Sequence, residues 1–203
     1  MARARAGLYG LVSCVFSGKP SPGMLEGMKS PEMIEALAAF EIFFDEDFLG
    51  GNAEAQAEEL AVQYARLFLG AGHIAPYESV FLRAWHEDVP QLWGQATVEV
   101  AKFYGEAGLE LKPGQTPDHL SLELEAMAAL AECEAARREA GDDSGAVRVG
   151  ELQDRFCREH LIRWVPEICR EIEERAGSGF YRNMAALTAS LVRLHCGEAD
   201  EMV

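Results

Sequence analysis

Asp118, His119 and Glu123 stand together in the stretch Thr116-Pro117-Asp118-His119-Leu120-Ser121-Leu122-Glu123-Leu124-Glu125-Ala126-Met127. Two acids flanking an imidazole at this spacing could move a proton, hold a metal or pair with a cation. Thr116 and Pro117 read as the cap and first residue of a helix, because proline has no N–H to leave unpaired there. Asp118 suits the positive end of the helix dipole. On that reading Asp118 and His119 occupy the first turn, His119 and Glu123 share a face, and Leu120, Leu124 and Met127 line another. Ser121, two residues from His119, then points elsewhere and is no activated nucleophile.

The remaining candidate chemistry is sparse. Cys157 and His160 are three apart on one helix face, but no second close pair completes a four-ligand metal site. Gly177-Ser178-Gly179 precedes a helix yet lacks the remaining glycine and the Lys-Ser/Thr ending of a phosphate-binding loop. We therefore expect no catalytic residues, no metal site and no enzyme activity. The residues read as a recognition surface instead.

The elements that must position these residues are helices. Runs of alternating Val, Ile or Thr are almost absent, so the fold class is all-α, with roughly eight to ten helices in a single domain. A first helix is predicted over residues 3–17, ended by Gly18-Lys19-Pro20-Ser21-Pro22-Gly23. These breakers leave room for a short helical piece around Met24 to Met28. Glu32 to Phe44 then places Met33, Ile34, Leu37, Phe40 and Phe44 on one side, and Ala53 to about Leu69 forms another helix. Gly70 to Val89 has no periodicity but carries Tyr77, Phe81 and Trp85, which suits a loop with a binding role or one pinned to the core. A helix from Pro90 to Gly105 or Ala107 precedes the motif helix, which runs to about Ala140. Gly141 to Gly145 reads as a flexible acidic tip. Val147 to Arg175 is helical with a break forced by Pro166, and the last helix covers Gly179 to about Cys196. The halves, about 1–110 and 115–197, read as two lobes of one domain.

Composition narrows the function. The 203 residues are 49% hydrophobic, enough for a sizeable core. Asp and Glu number 34 against 18 Lys and Arg, a net charge of -16, which disfavours nucleic acid and favours a cationic partner. Five scattered cysteines with no Cys-x-x-Cys pair argue for reduced thiols and a cytoplasmic location. Arg3 and Arg5 ahead of Leu8-Tyr9-Gly10-Leu11-Val12-Ser13-Cys14 imitate an export signal, but Leu8, Leu11, Val12, Val15 and Phe16 recur at helical spacing, as in an amphipathic first helix. No stretch is long enough to insert stably across a membrane.

Four segments in order carry a family resemblance. Pro117-Asp118-His119-Leu120-x-x-Glu123-Leu124-x-x-Met127 resembles the signature helix of the TorD/DmsD/NarJ redox enzyme maturation chaperones. Tyr64-Ala65-Arg66-Leu67-Phe68-Leu69-Gly70, Pro76-Tyr77-Glu78-Ser79-Val80-Phe81 and Phe156-x-x-x-His160-Leu161-x-x-Trp164-x-Pro166 are similar to three further family segments. The loop has Tyr77-Glu78 where some members carry Trp-Gly, and Phe81 replaces a tyrosine, although the match is nearest the TorD/DmsD branch.

The resemblance implies a cytoplasmic chaperone. It would bind the twin-arginine signal peptide and apo form of a molybdoenzyme catalytic subunit until the cofactor is inserted. It also implies a peptide site at Tyr77, Glu78, Ser79, Asp118 and His119; the cationic start and apolar middle of such a leader would then set Asp118, Glu78 and Glu123 against the guanidiniums and Tyr77, Phe81 and Trp164 against the apolar part. Trp164 and His160, four apart, equally read as core and core-edge residues around the break before Pro166. Two alternatives come from relatives: a NarJ-like assembly chaperone for a membrane-bound reductase subunit without an export signal, and a helical nucleotide hydrolase. No resident cofactor is expected, although the family analogy allows contact with a guanine nucleotide or the molybdenum cofactor. A monomer or a helix-swapped dimer is expected, hinged at 141–145 or 112–115.

Overall fold

The structure is a computed structural model, and residues 2–84, 94–177 and 179–197 are described. They form eleven α-helices and one 3-10 turn: α1 (Ala2–Ser17), α2 (Pro22–Met28), α3 (Pro31–Ala38), α4 (Glu46–Gly50), α5 (Ala53–Phe68), α6 (Glu78–Ala84), α7 (Gln95–Ala107), α8 (Leu120–Glu139), α9 (Asp143–Glu159), the turn Leu161–Arg163, α10 (Val165–Arg175) and α11 (Gly179–Cys196). The all-α class holds, and the only β pairing among the described residues is a single bridge between Tyr77 and His119.

Short polar side chains begin many of these helices. Ser21, Ser30, Asp45, Asn52 and Asp142 each accept a backbone N–H three residues on, satisfying one of the unpaired donors of a helix start. Pro22 and Pro31 come directly after the two serines, at the position where no N–H is missed. Gly108 ends α7 in the left-handed conformation at φ 71°.

Packing runs in antiparallel neighbours. α1 lies along α8, α9 covers another side of α8, and α10 packs on α11. α1 buries Tyr9, Val12, Val15 and Phe16, and α8 buries Leu120, Leu124, Met127 and Ala131. One apolar cluster extends from Leu8 to Val192. Polar ties set its register: Arg5 donates to buried Glu134, which also accepts from Gln153 at 2.9 Å, joining α1, α8 and α9. Among the described residues no helix is long and apolar enough to cross a membrane.

Several boundaries differ from expectation. The helix predicted over Glu32 to Phe44 ends at Ala38. There Glu41 adopts φ 59°, Glu41 N–H donates to Ala38 O and Ile42 N–H to Leu37 O, closing the helix in a left-handed cap. This turn buries Ile42 and leaves Phe43 exposed. A non-glycine residue in that conformation is strained, so Glu41→Gly should stabilise the fold by about 0.5–1 kcal/mol, after allowing for glycine's greater unfolded entropy. An increase in the urea midpoint at unchanged slope would report it, and a decrease would refute it.

The expected tip at 141–145 is mostly helical. Gly141 turns at φ 75°, Asp142 caps, and α9 begins at Asp143 rather than Val147. The predicted start at Pro90 lies outside the described residues, as do Trp85, Ser178 and residues 198–203. The reduced state expected of every cysteine fails for Cys157 and Cys196, joined as a disulfide with Cα atoms 6.1 Å apart. Folding brings α9 and the end of α11 together, which their 39-residue separation did not suggest.

Candidate functional site

The aperiodic stretch before α7 contains a short helix, α6, stitched to the motif that starts α8. Glu78 N–H donates to Asp118 O and Leu120 N–H to Pro76 O, both at 2.9 Å, on either side of the Tyr77–His119 bridge. The Asp118 carboxylate accepts Ser79 N–H at 2.9 Å, so it caps α6 from 39 residues away. Its negative charge meets the positive end of α6.

His119 caps the other helix. Its backbone is extended, at φ -77° and ψ 135°, and its Nδ1 accepts Ser121 N–H at 3.2 Å with Ser121 Oγ at 2.8 Å. Two consecutive residues thus terminate two different helices. α8 therefore starts at Leu120, not at Pro117, which corrects the sequence reading. The same shift places Ser121 against His119 rather than on another face. Tyr104 OH donates to Pro117 O at 3.1 Å and Ser13 Oγ to Ser121 O at 2.8 Å, fixing the junction from α7 and α1.

Beneath this junction lies a polar cluster with no solvent exposure. Glu78, Asp118 and Glu123 are each 0% exposed. His160 Nδ1 lies 2.9 Å from Glu78 Oε2, and because a carboxylate oxygen accepts, the ring nitrogen is the donor. Trp164 Nε1–H donates to Glu123 Oε2 at 3.1 Å. The remaining oxygens, Glu78 Oε1, Asp118 Oδ1 and Glu123 Oε1, have no hydrogen-bond partner among the described residues. Burial first, and Glu78 second, hold the Glu123 carboxyl well above the usual carboxylate range, despite the Trp164 hydrogen bond. This shift favours the protonated acid, and a proton on Glu123 relieves the contact with Glu78, which otherwise sets two acceptors against each other. Arg163 Nη1, half-exposed, stands 3.9 Å from Glu78 Oε1.

The surface of the site is aromatic. The Tyr77 and His119 rings meet edge to face with centroids 4.9 Å apart, and both side chains are half-buried. Burial lowers the His119 imidazole to about 4, with Asp118 opposing that change, so the ring is neutral near pH 7. With Nδ1 accepting, its proton sits on Nε2. Phe81 is half-buried, 6.0 Å from the fully buried Trp164 ring.

All eight residues expected at the site gather around one junction, but at different depths. Tyr77, His119 and Phe81 reach the surface, whereas Glu78, Ser79, Asp118, Glu123 and Trp164 present none. Trp164 takes the core position that its spacing from His160 also allowed. His160 joins the cluster as the partner of Glu78, a role the spacing of its own motif did not reveal. Among the described residues no group of three His, Cys, Asp or Glu side chains has the geometry to hold a metal.

Comparison with known proteins agrees with the four-segment resemblance. A sequence model described as the nitrate reductase delta subunit matches residues 28–170. The chaperone protein TorD of Shewanella loihica is 27% identical over 211 residues, covering 96% of this chain and 92% of the relative. The TorD of Shewanella oneidensis is 30% identical over 139 residues, covering 66% and 58%. The crystal structure of an Archaeoglobus fulgidus protein assigned to redox enzyme maturation aligns over 95% of this chain and 91% of that one, with a TM-score of 0.48 and 20% identity. The matched region holds α3 to α9 and every residue of the capping junction and the cluster beneath it, and on that ground the chain belongs to the nitrate reductase delta subunit family, the TorD/DmsD/NarJ group of redox enzyme maturation chaperones.

Proposed function

We propose that this chaperone binds the twin-arginine signal peptide of a molybdoenzyme catalytic subunit in the cytoplasm and holds the apo form until its cofactor is inserted, without catalysing a reaction. The observation that carries the reading is the half-exposed Tyr77–His119 pair, locked by backbone hydrogen bonds over a buried carboxyl cluster. Aromatic edges held rigidly in this way offer contact area at low entropic cost. The net charge of -16 suits a leader with a cationic start and an apolar middle. Glu78, Ser79, Asp118 and Glu123 act in this proposal from below, by fixing α6 and the start of α8. Direct pairing of their carboxylates with the arginines requires α6 to lift.

Titration with a synthetic twin-arginine leader tests the reading. Tyr77→Ala and His119→Ala should each weaken binding about tenfold, the size of a well-packed contact. Replacing both arginines by alanine should do the same, with affinity falling as salt rises, since exposed charge pairs are screened beyond ~8 Å at physiological ionic strength. Unchanged affinity in all three cases would refute the site. The delta-subunit family match favours one competing reading, assembly of a membrane-bound reductase. Preference for a client N-terminus lacking the arginine pair would select it.

A further inference from the structure

We infer that a second peptide-docking groove lies between the 43–52 segment, α5 and the start of α11, and that it takes an apolar stretch flanked by arginine or lysine. On the function proposed above, on which this identification rests, that stretch is the apolar middle of the client leader. The groove holds about 610 Å3. Its floor is built of phenylalanines: Phe44 stacks on Phe48 with centroids 4.2 Å apart, and Phe48 lies 5.9 Å from Phe180. Phe43, at its edge, is 69% exposed, the product of the left-handed turn at Glu41. Asn183 Nδ2 donates to Phe43 O at 2.7 Å, which ties this edge to α11.

The rim is acidic. Asp45, Asp47 and Glu59 line the groove, and none of the three pairs with a cation among the described residues, whereas Lys29 at its edge donates to Gly51 O at 2.7 Å, lies 5.8 Å from the Phe48 ring and pairs with Glu26. On other faces Glu167 and Glu174 pair with Arg170, and Glu106 with Arg155. Apolar floor and carboxylates without a cation together fit a helix or extended segment that is apolar and flanked by N–H-rich cations.

The test uses the full chain and a fluorescent peptide with an arginine pair followed by an apolar stretch, carrying a photo-crosslinker in that stretch. Phe43→Ser should weaken binding about tenfold. Asp45→Asn with Asp47→Asn should weaken it severalfold at low salt and less at high salt, and asparagine retains the capping role of Asp45. The crosslink should map to residues 43–63. If the groove variants bind like the wild type while Tyr77→Ala weakens binding, the groove is refuted and the proposed function stands. If the groove variants weaken binding and Tyr77→Ala does not, the groove stands and the Tyr77–His119 site falls. No binding to the wild type overturns both. A dimer that Phe43→Ser dissociates, with peptide affinity unchanged, assigns the groove to a second copy and overturns the inference.

Discussion

Trp164→Ala should lower folding stability by about 3–5 kcal/mol, the cost of emptying a large buried aromatic site. The ring has no exposed surface, packs against Phe81, and donates its only N–H to Glu123. Removal therefore leaves both a cavity and a buried carboxyl oxygen without its donor, the latter alone costing about 1–3 kcal/mol. Against a typical domain stability of about 5–15 kcal/mol, the variant should be partly unfolded at 37 °C. Trp164→Phe separates the two contributions, since it keeps much of the volume and deletes the N–H. Its cost should be about 1–3 kcal/mol. Urea unfolding followed by far-ultraviolet circular dichroism reads both without the signals of Trp85 and Trp93. A loss under about 1 kcal/mol for Trp164→Ala would mean that the ring is not part of the core.

Long, periodic helices with breakers at their ends were legible in the sequence. α11 spans Gly179–Cys196 as read, and α5 differs by one residue at its C-terminus. Local rules went wrong where a distant group outcompeted them. Asp118 looked like a first-turn acid of its own helix because Thr116-Pro117 supplies a valid helix start. Instead its carboxylate serves α6, and pairing with Tyr77 holds His119 extended, so α8 begins two residues later than Asp118. No pattern within the motif could announce a partner 39 residues away. His160 and Glu78 are 82 apart, and only the fold shows that the histidine of the C-terminal motif answers the glutamate of the loop. α6 itself is seven residues long, too short for hydrophobic periodicity to distinguish it from a loop.

Glu78 is the residue on which these distant contacts converge, and Glu78→Ala should cost about 3–5 kcal/mol, the range for removing one partner of a buried ion-paired or hydrogen-bonded charge. It strands the buried His160 donor and removes the acceptor that faces Glu123. His160→Ala should cost a similar amount, and the double variant less than the sum by about 1–3 kcal/mol, because each single change already breaks the shared contact. Additive losses would show that the two side chains do not act together. The pH dependence provides a second readout. Glu123 is raised in the folded protein from an ordinary value of 4.5, so the folded state binds more protons than the unfolded chain above that pH. That group's contribution to stability is therefore full at low pH and is lost as pH rises through the raised value. Lowering of His119 and His195 to about 4 acts oppositely, since the unfolded chain then binds more protons from about 4 up to 6.5 and stability rises with pH across that window. Glu123→Gln mimics the protonated acid and deletes only the first dependence. Its stability relative to the wild type should therefore increase as pH rises from 4.5 through the raised value, the histidine contributions being common to both proteins. Glu78→Ala, by removing the carboxylate that helps hold the Glu123 proton, should shift the same decline to lower pH. A wild-type curve parallel to that of Glu123→Gln across this range would mean that Glu123 carries no raised proton, and the cluster beneath the capping junction would then have to be balanced by another group.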